Sequence, residues 1–369
     1  MKILMLNYEY PPLGGGASPF TKELSTELSK KHYVDVVTMY YKGLKKIERK
    51  GNLTVYRVPC IRNKKESSTA FEMFTYIISA FLKSLVLMKK NKYDLVHSHF
   101  ILPTSILAYA LKKIFKVKYI ISSHGSDVPG YNPDKFKLLH KIVFPIWNLI
   151  VKSATYIHTP SNTMKNIILT KKKLANVKVI PYGIYVRKPG IMKKEKIVLY
   201  AGRLFERKGV QYLLKAATNL AKDWKIIIAG DGYYKNELMK LAKNLKLNVE
   251  FTGWLSKNEL HKLYKKSSIF VLPSSEESFG IVLAEGMMYS NAIITSKETA
   301  CQEVVGNSGI LVKKKSINEL EKALLSLTSN KKLLKKYQKK ARKKIFTYSW
   351  NKVINKYLSL YKNACKSTI

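Results

Sequence analysis

Lys196-Ile-Val-Leu-Tyr-Ala-Gly-Arg203 is the stretch that decides the fold. Five apolar residues run from Ile197 to Ala201 and stop at a glycine, which reads as a buried strand feeding a tight turn and a helix. The chain has opened the same way once before. Lys2-Ile-Leu-Met-Leu-Asn7 is a first strand, and Tyr10-Pro-Pro-Leu-Gly-Gly-Gly-Ala-Ser18 is its turn, with helical spacing over 20–30. Working outward, the first half offers further strands at 34–38, 53–58, 95–97, 119–122 and 156–159, with another helix over 105–113. The second half offers them at 225–229, 249–252, 269–272, 292–295 and 309–312. Strands alternating with amphipathic segments predict the α/β class, with parallel sheets and crossover helices. Two such openings predict two Rossmann-like domains. Between them, Tyr182-Gly-Ile-Tyr-Val-Arg-Lys-Pro-Gly-Ile-Met-Lys-Lys-Glu195 breaks into Gly, Pro and charge and reads as a linker. Ligands of open α/β sheets bind beyond the C-terminal ends of the strands, so two facing sheets predict an active site in a central cleft.

Composition limits what else the chain can be. At 369 residues it is long enough for two cores, and its 46% hydrophobic content is that of a globular protein. Lys plus Arg number 67 against 24 Asp plus Glu, a formal +43. Arginine stands only at positions 49, 57, 62, 187, 203, 207 and 342, so lysine carries the excess. Such a surface attracts polyanions: nucleic acid, anionic lipid head groups or phosphorylated substrates. A lysine-rich genome gives the same balance with no functional meaning. Cys60, Cys301 and Cys365 lie far apart, which excludes a zinc ribbon or disulfide framework and fits a reducing compartment. The first residues turn polar too soon for a signal peptide. The most apolar stretch, 71–88, contains Glu72 and Lys83, which makes it a poor spanning helix. With Lys89, Lys90 and Lys92 behind it, it reads either as a core helix with a basic end or as an interfacial helix on anionic lipid.

Several loops after strands carry chemistry. Gly14 to Gly16 precede a helix N-terminus, where backbone N–H groups and the helix dipole suit an anion; an ordinary flexible turn reads equally. His97 and His99 are expected on opposite faces of their strand, as core or hinge residues rather than metal ligands. His124, in Ser122-Ser-His-Gly-Ser-Asp127, is placed to project into the cleft and donate to a sugar hydroxyl or phosphate; Asp127 either orients it or caps the next turn. Arg203 and Lys208 bracket a turn after a strand, and a guanidinium fork with a compact ammonium suits a diphosphate. In Pro273-Ser-Ser-Glu-Glu-Ser-Phe-Gly-Ile-Val-Leu-Ala-Glu-Gly-Met287, Glu277 falls in a loop and the amides of Gly280, Ile281 and Val282 open a helix. Glu285 lies on its apolar part, where a carboxylate needs donors such as the vicinal hydroxyls of a ribose. The alternative makes Glu276 and Glu277 helix-dipole charges, with Glu285 exposed.

In order and spacing these segments resemble family 4 of the retaining glycosyltransferases, which have the GT-B fold. The resemblance spans nearly the whole chain: the Pro-Pro-x-Gly-Gly-Gly opening, His-Gly-x-Asp, Pro181-Tyr-Gly, Gly-Arg…Lys-Gly, Gly230-Asp-Gly, the glutamates Glu277 and Glu285, and Phe346-Thr-Tyr-Ser-Trp-Asn-Lys352. It implies that Gly15 and Gly16 approach a donor pyrophosphate, that His124 touches the transferred sugar, and that Arg203 and Lys208 neutralise the leaving diphosphate. It also implies Glu277 beside the donor sugar, Glu285 on the ribose, and Phe279 to Val282 and Gly230 lining the donor site. The chain departs from the family's usual pattern at Tyr182-Gly-Ile-Tyr185, at Ser290-Asn-Ala292 and at Thr299-Ala300, which puts donor specificity in question more than the reaction.

The expected organisation is an N-terminal acceptor-side domain over 1–181, a linker over 182–195, a donor-side domain over 196–347, and a C-terminal helix over 348–369 crossing back. The expected activity is a retaining, metal-independent transfer from a UDP- or GDP-sugar to a lipid-linked, saccharide or other hydroxyl acceptor, in glycolipid or polysaccharide synthesis. No cofactor is called for, since the nucleotide sugar is a substrate. The expected location is cytoplasmic, with peripheral contact at the inner face of an anionic membrane. The rivals are a GT-B epimerase or hydrolase of sugar nucleotides and a basic nucleic-acid binder. Against the last, no nucleic-acid-binding signature is present and no specific nucleic-acid partner is expected.

Overall fold

The structure, a computed structural model, describes residues 1–65, 67–131, 137–187 and 193–367. The chain divides into two compact units. One comprises Met1–Gly183 with Trp350–Ile369, the other Ile184–Ser349.

The N-terminal unit runs β1 (Lys2–Leu6), α1 (Ala17–Ser29), β2 (Tyr33–Met39), β3 (Ile47–Lys50), β4 (Leu53–Val58), α2 (Ala70–Lys90), β5 (Leu95–His99), α3 (Ser105–Phe115), β6 (Tyr119–Ser122), α4 (Lys137–Ser153), β7 (Tyr156–Thr159), α5 (Asn162–Lys171) and β8 (Val177–Val179). Its eight strands lie in the order β3-β4-β2-β1-β5-β6-β7-β8. All pairs are parallel except β3 with β4. The central strands are buried on both faces, which is why they read as unbroken apolar runs. The chain moves one way from β1 to β2 and the other way from β4 through β5, β6 and β7. Right-handed crossovers therefore place α1 on one face of the sheet and α2, α3 and α4 in a layer on the other, where α2 packs on α3 and α3 on α4. The order reverses between β1 and β5, so the loops after these two strands flank a switch point.

The second unit runs β9 (Glu195–Ala201), a 3₁₀ turn at Glu206–Lys208, α6 (Val210–Ala216), β10 (Lys225–Ala229), α7 (Lys235–Asn244), β11 (Val249–Gly253), α8 (Lys257–Lys266), β12 (Ser267–Leu272), α9 (Ile281–Met288), β13 (Ala292–Ser296), α10 (Ala300–Val305), β14 (Ile310–Val312), α11 (Ile317–Ser329) and α12 (Lys331–Ile345). Its six strands are parallel, in the order β11-β10-β9-β12-β13-β14, with the switch point between β9 and β12. The chain then returns to the first unit as α13 (Trp350–Lys366), which packs on α1 and β5.

Of the expected linker, 188–192 lie outside the described residues. Tyr182 and Gly183 belong to the first unit, and Ile184 donates its N–H to the Tyr348 carbonyl at 2.8 Å and pairs with Ser349, so the outgoing and returning segments run side by side. Gly183 permits this. A Cβ there would lie 2.3 Å from Cδ2 of the Trp350 indole.

Candidate active site

At the switch point of the first unit, the Gly14–Gly16 loop leads from β1 into α1, with Gly16 at the N-cap and exposed. The Gly15 amide donates to Glu9 Oε2 at 3.1 Å, and Glu9 is itself buried and donates its N–H to Asn7 Oδ1 at 2.9 Å. The loop thus binds an oxyanion already, one supplied by its own chain. The sequence reading passed over Glu9 because a single acid before Pro-Pro carries no local signal.

Four buried histidines stand behind this loop. His97 and His99 do not lie on opposite faces. A strand's side chains alternate with a period of two, so positions 97 and 99 share a face, and their rings stack with centroids 4.6 Å apart. His97 Nε2 lies 2.8 Å from Ser122 Oγ, which lies 2.7 Å from His158 Nδ1. The α13 hydroxyls complete the set: Tyr361 meets His97 Nδ1, and Tyr357 lies 2.9 Å from His158 Nε2. Burial holds all four imidazoles below their ordinary pKa, with His97 at about 3 and His158 at about 4, so each is neutral at pH 7.

His124 follows β6 as expected, but it is buried and both ring nitrogens face protein. Nδ1 lies 2.6 Å from the Tyr182 hydroxyl and Nε2 lies 3.1 Å from His99 Nδ1. A sugar would reach this ring only by exchange for one of these bonds, the longer one to His99 being the weaker. Asp127 touches the backbone rather than the imidazole. It accepts the N–H groups of His124 (3.0 Å), Gly125 (2.8 Å) and Ile101 (2.8 Å), which fixes the loop that carries His124. Tyr182 also stacks on Phe20, with ring centroids 4.2 Å apart.

In the second unit, the loops after β9 and β12 meet across the switch point. Lys208 Nζ lies 2.5 Å from Glu277 Oε1 and 3.4 Å from the Glu276 carbonyl, and Ser274 Oγ donates to the same Glu277 oxygen at 3.3 Å. Arg207 pairs with Glu276 at 3.6 Å. The backbones close ranks as well, since the Ser275 N–H donates to the Arg207 carbonyl at 2.9 Å. Gly209 makes that approach possible: its φ is +75°, and a Cβ would stand 2.2 Å from the Pro273 oxygen. Arg203 sits in the turn after β9, half-buried, its guanidinium carbon 5.9 Å from the centre of the Phe205 ring. Its carbonyl accepts from the Tyr200 hydroxyl at 3.0 Å, which pins the turn. Gly230 ends the neighbouring β10 strand, and its N–H donates to Gly253 at 2.9 Å.

Gly280 caps α9 at φ +80°. It and the next two residues, Ile281 and Val282, begin the helix, so their amides have no helical carbonyl behind them. Phe279 is buried. Glu285, one turn into α9, is half-buried, and a protein donor reaches it: the buried Tyr264 hydroxyl, which also lies 3.3 Å from the Val282 carbonyl. Burial first, and then the Glu285 charge and hydrogen bond, drive the Tyr264 phenol well above its usual range. Burial first, with the Glu277 charge after it, pushes the nearby Cys301 thiol up to about 12, so this cysteine is not a nucleophile. Lys208, Glu277, Arg207 and Glu276 are thus assembled into one ionic cluster, while Glu285 is held separately by Tyr264.

Two family models divide the chain between them. The model described as Glycosyltransferase Family 4 matches residues 14–188, and that described as Glycosyl transferases group 1 matches residues 183–344. Together they span residues 14–344, and the chain is a glycosyltransferase. This glycosyltransferase is 28% identical to an uncharacterized glycosyltransferase of Methanocaldococcus jannaschii over 99% of its own length and 98% of the relative's. It is 24% identical to the alpha-monoglucosyldiacylglycerol synthase of Streptococcus pneumoniae, covering 80% of this chain and 74% of that one. Among solved structures, sucrose-phosphate synthase from Thermosynechococcus elongatus superposes with a TM-score of 0.86 at 18% identity, covering 98% of each chain. Anabaena HepE in complex with UDP and glucose superposes with a TM-score of 0.77 at 16% identity, covering 98% of this chain and all of that one. The fold of this glycosyltransferase is GT-B.

Proposed function

We propose that the enzyme moves a sugar, with retention, from a UDP- or GDP-sugar to a hydroxyl acceptor in glycolipid or polysaccharide synthesis, without a metal. The observation that carries this reading is the Lys208–Glu277 pair at the β9/β12 switch point, beside the opening amides of α9. The bond from the sugar's anomeric carbon to the diphosphate breaks as the acceptor oxygen bonds to the same face. The acceptor proton passes to a leaving phosphate oxygen. Charge that builds on the diphosphate is met by Arg203, Lys208 and the amides of Gly280 to Val282, fixed donors already in place before reaction. Glu277 holds Lys208 ready and stands beside the donor sugar, and Glu285 takes the ribose hydroxyls in competition with Tyr264. In the N-terminal unit, Gly15, Gly16 and His124 approach the pyrophosphate and the sugar. The complex of HepE with UDP and glucose, and the diacylglycerol product named for the pneumococcal relative, support a nucleotide donor and a lipid-linked or saccharide acceptor. Such an acceptor would be met from the cytoplasmic side of a membrane.

Initial-rate assays on a panel of UDP- and GDP-sugars, with the product anomer read by NMR, test the reading. Lys208→Ala is expected to lower kcat by about 10²–10³, the range for losing one transition-state donor. An undiminished rate, an inverted anomer or a loss of activity in EDTA would overturn it.

A further inference from the structure

The layer α2–α3–α4 of the N-terminal unit is built inside out on its solvent side. On α2, Phe71, Phe74, Ile78, Leu82 and Val86 follow the i, i+3/i+4 spacing of one helix face, and that face points to water, with exposures of 46–62%. The opposite face is docked. Tyr76, Ala80, Ser84 and Leu87 are buried, the Tyr76 hydroxyl donates to the Val37 carbonyl at 3.0 Å, and Thr69 with Glu72 closes a capping box. A helix tied to its own core along one side cannot span a bilayer, though by length and composition alone it could cross one. On α4, Ile142, Ile146 and Leu149 are likewise exposed.

The rest of the chain shows what an ordinary outward face looks like here. On α12, Lys331, Lys332, Lys335, Lys336, Lys339, Lys340 and Lys343 are exposed. In so lysine-rich a chain, nine exposed large apolar residues on three neighbouring helices (the ninth being Ile114 of α3) form a patch rather than scatter. On α2, α3 and residues 142–153 of α4 the exposed lysines gather at one end, while Lys83 lies half-buried in mid-helix. All three helices run antiparallel to the strands, so their last turns align along one edge of the sheet, bringing Lys89 and Lys90, Lys112 and Lys113, and Lys152 into one rim. An open groove of about 460 Å³ runs beside α2, lined by Leu82, Val86, Ile47 and Tyr56, with Lys46 and Lys83 at its sides.

We propose that this face lies in the interface of an anionic bilayer, with α2 parallel to the surface, its five-residue apolar stripe at the acyl boundary and the lysine rim against head-group phosphates. A second copy of the chain fits worse, because two surfaces of the same strong positive charge would be brought together, whereas an anionic surface is complementary to both parts of the face. The inference rests on no assignment of the reaction.

The test is co-sedimentation of the full chain with vesicles of phosphatidylcholine alone and of phosphatidylcholine with phosphatidylglycerol. Binding is expected to the anionic vesicles and to fall as salt rises. The Ile78→Lys/Leu82→Lys variant should bind at least tenfold more weakly, and Lys89→Gln should cost about fivefold. Circular dichroism of the variants checks that they fold, and Phe74→Trp emission, expected to shift to the blue on anionic vesicles only, gives a reading in an otherwise native chain. Equal binding to both vesicle types, or none, overturns the proposal. So does self-association in sedimentation velocity that the double lysine variant abolishes while vesicles have no effect. None of these readouts needs a sugar donor, so failure here is separable from failure of the proposed reaction.

Discussion

Tyr182 falls in one of the segments that depart from the family's usual pattern, and its hydroxyl is the partner of His124 Nδ1. A neutral imidazole has one N–H and one lone pair, and the phenol can serve either, so its bond at Nδ1 together with the His99 contact at Nε2 ties the ring to one arrangement of protons. Tyr182→Phe retains the ring on Phe20 and removes only the hydroxyl. It is expected to leave His124 as a mixture of tautomers in a long-range ¹⁵N–¹H spectrum where the wild type shows one, and to lower the transfer rate; an unchanged spectrum rejects the role. His124, Arg203, Lys208 and Glu277 stand out in the sequence as polar residues soon after apolar strands, and Glu285 as a carboxylate within an apolar helical stretch. Their partners do not. Tyr182 is 58 positions from His124 and Tyr361 is 264 from His97, and nothing local in the sequence marks such pairs. The assignment of His97 and His99 to opposite faces failed for another reason, a misapplied strand period.

Among the elements, the buried strands were read within one or two residues because burial on both faces leaves a continuous apolar signature. Two strands gave no such signature. β3 is an exposed, antiparallel edge of sequence Ile-Glu-Arg-Lys, charged in the way that discourages edge-to-edge pairing, and β8 is only three residues long. The glycine of Pro181-Tyr-Gly183 has its explanation in α13: the indole of Trp350 fills the space a side chain at 183 would need. Gly183→Ala is therefore expected to destabilise the N-terminal unit by about 1–3 kcal/mol, as overpacking does, read as a lower urea midpoint at unchanged slope. An unshifted midpoint would show that α13 is not seated as described.

At the scale of the whole molecule, the buried histidines set a response to acid. Folding depresses His97 to about 3 and His158 to about 4 from an unfolded value near 6.5. Between about pH 4 and 6.5 the unfolded chain binds protons that the native chain refuses, so stability must fall as pH drops through this window. The two together give a slope of up to about 2.7 kcal/mol per pH unit, and His99 and His124, shifted in the same direction, steepen it. Urea titrations at pH 7.5 and 5.0 check this; equal or greater stability at pH 5.0 would contradict it.

The membership of α13 in the first unit also orders events at the ribosome. The first unit's last strand is complete at residue 179, but the hydroxyls that meet His97 and His158 are not made until 357 and 361. At 5–20 residues per second that is a delay of roughly 9–36 s. Through that interval the nascent first unit keeps an uncovered flank at α1 and β5, while all of the second unit is translated. The portion of the chain that is synthesised first is thus the last to be finished.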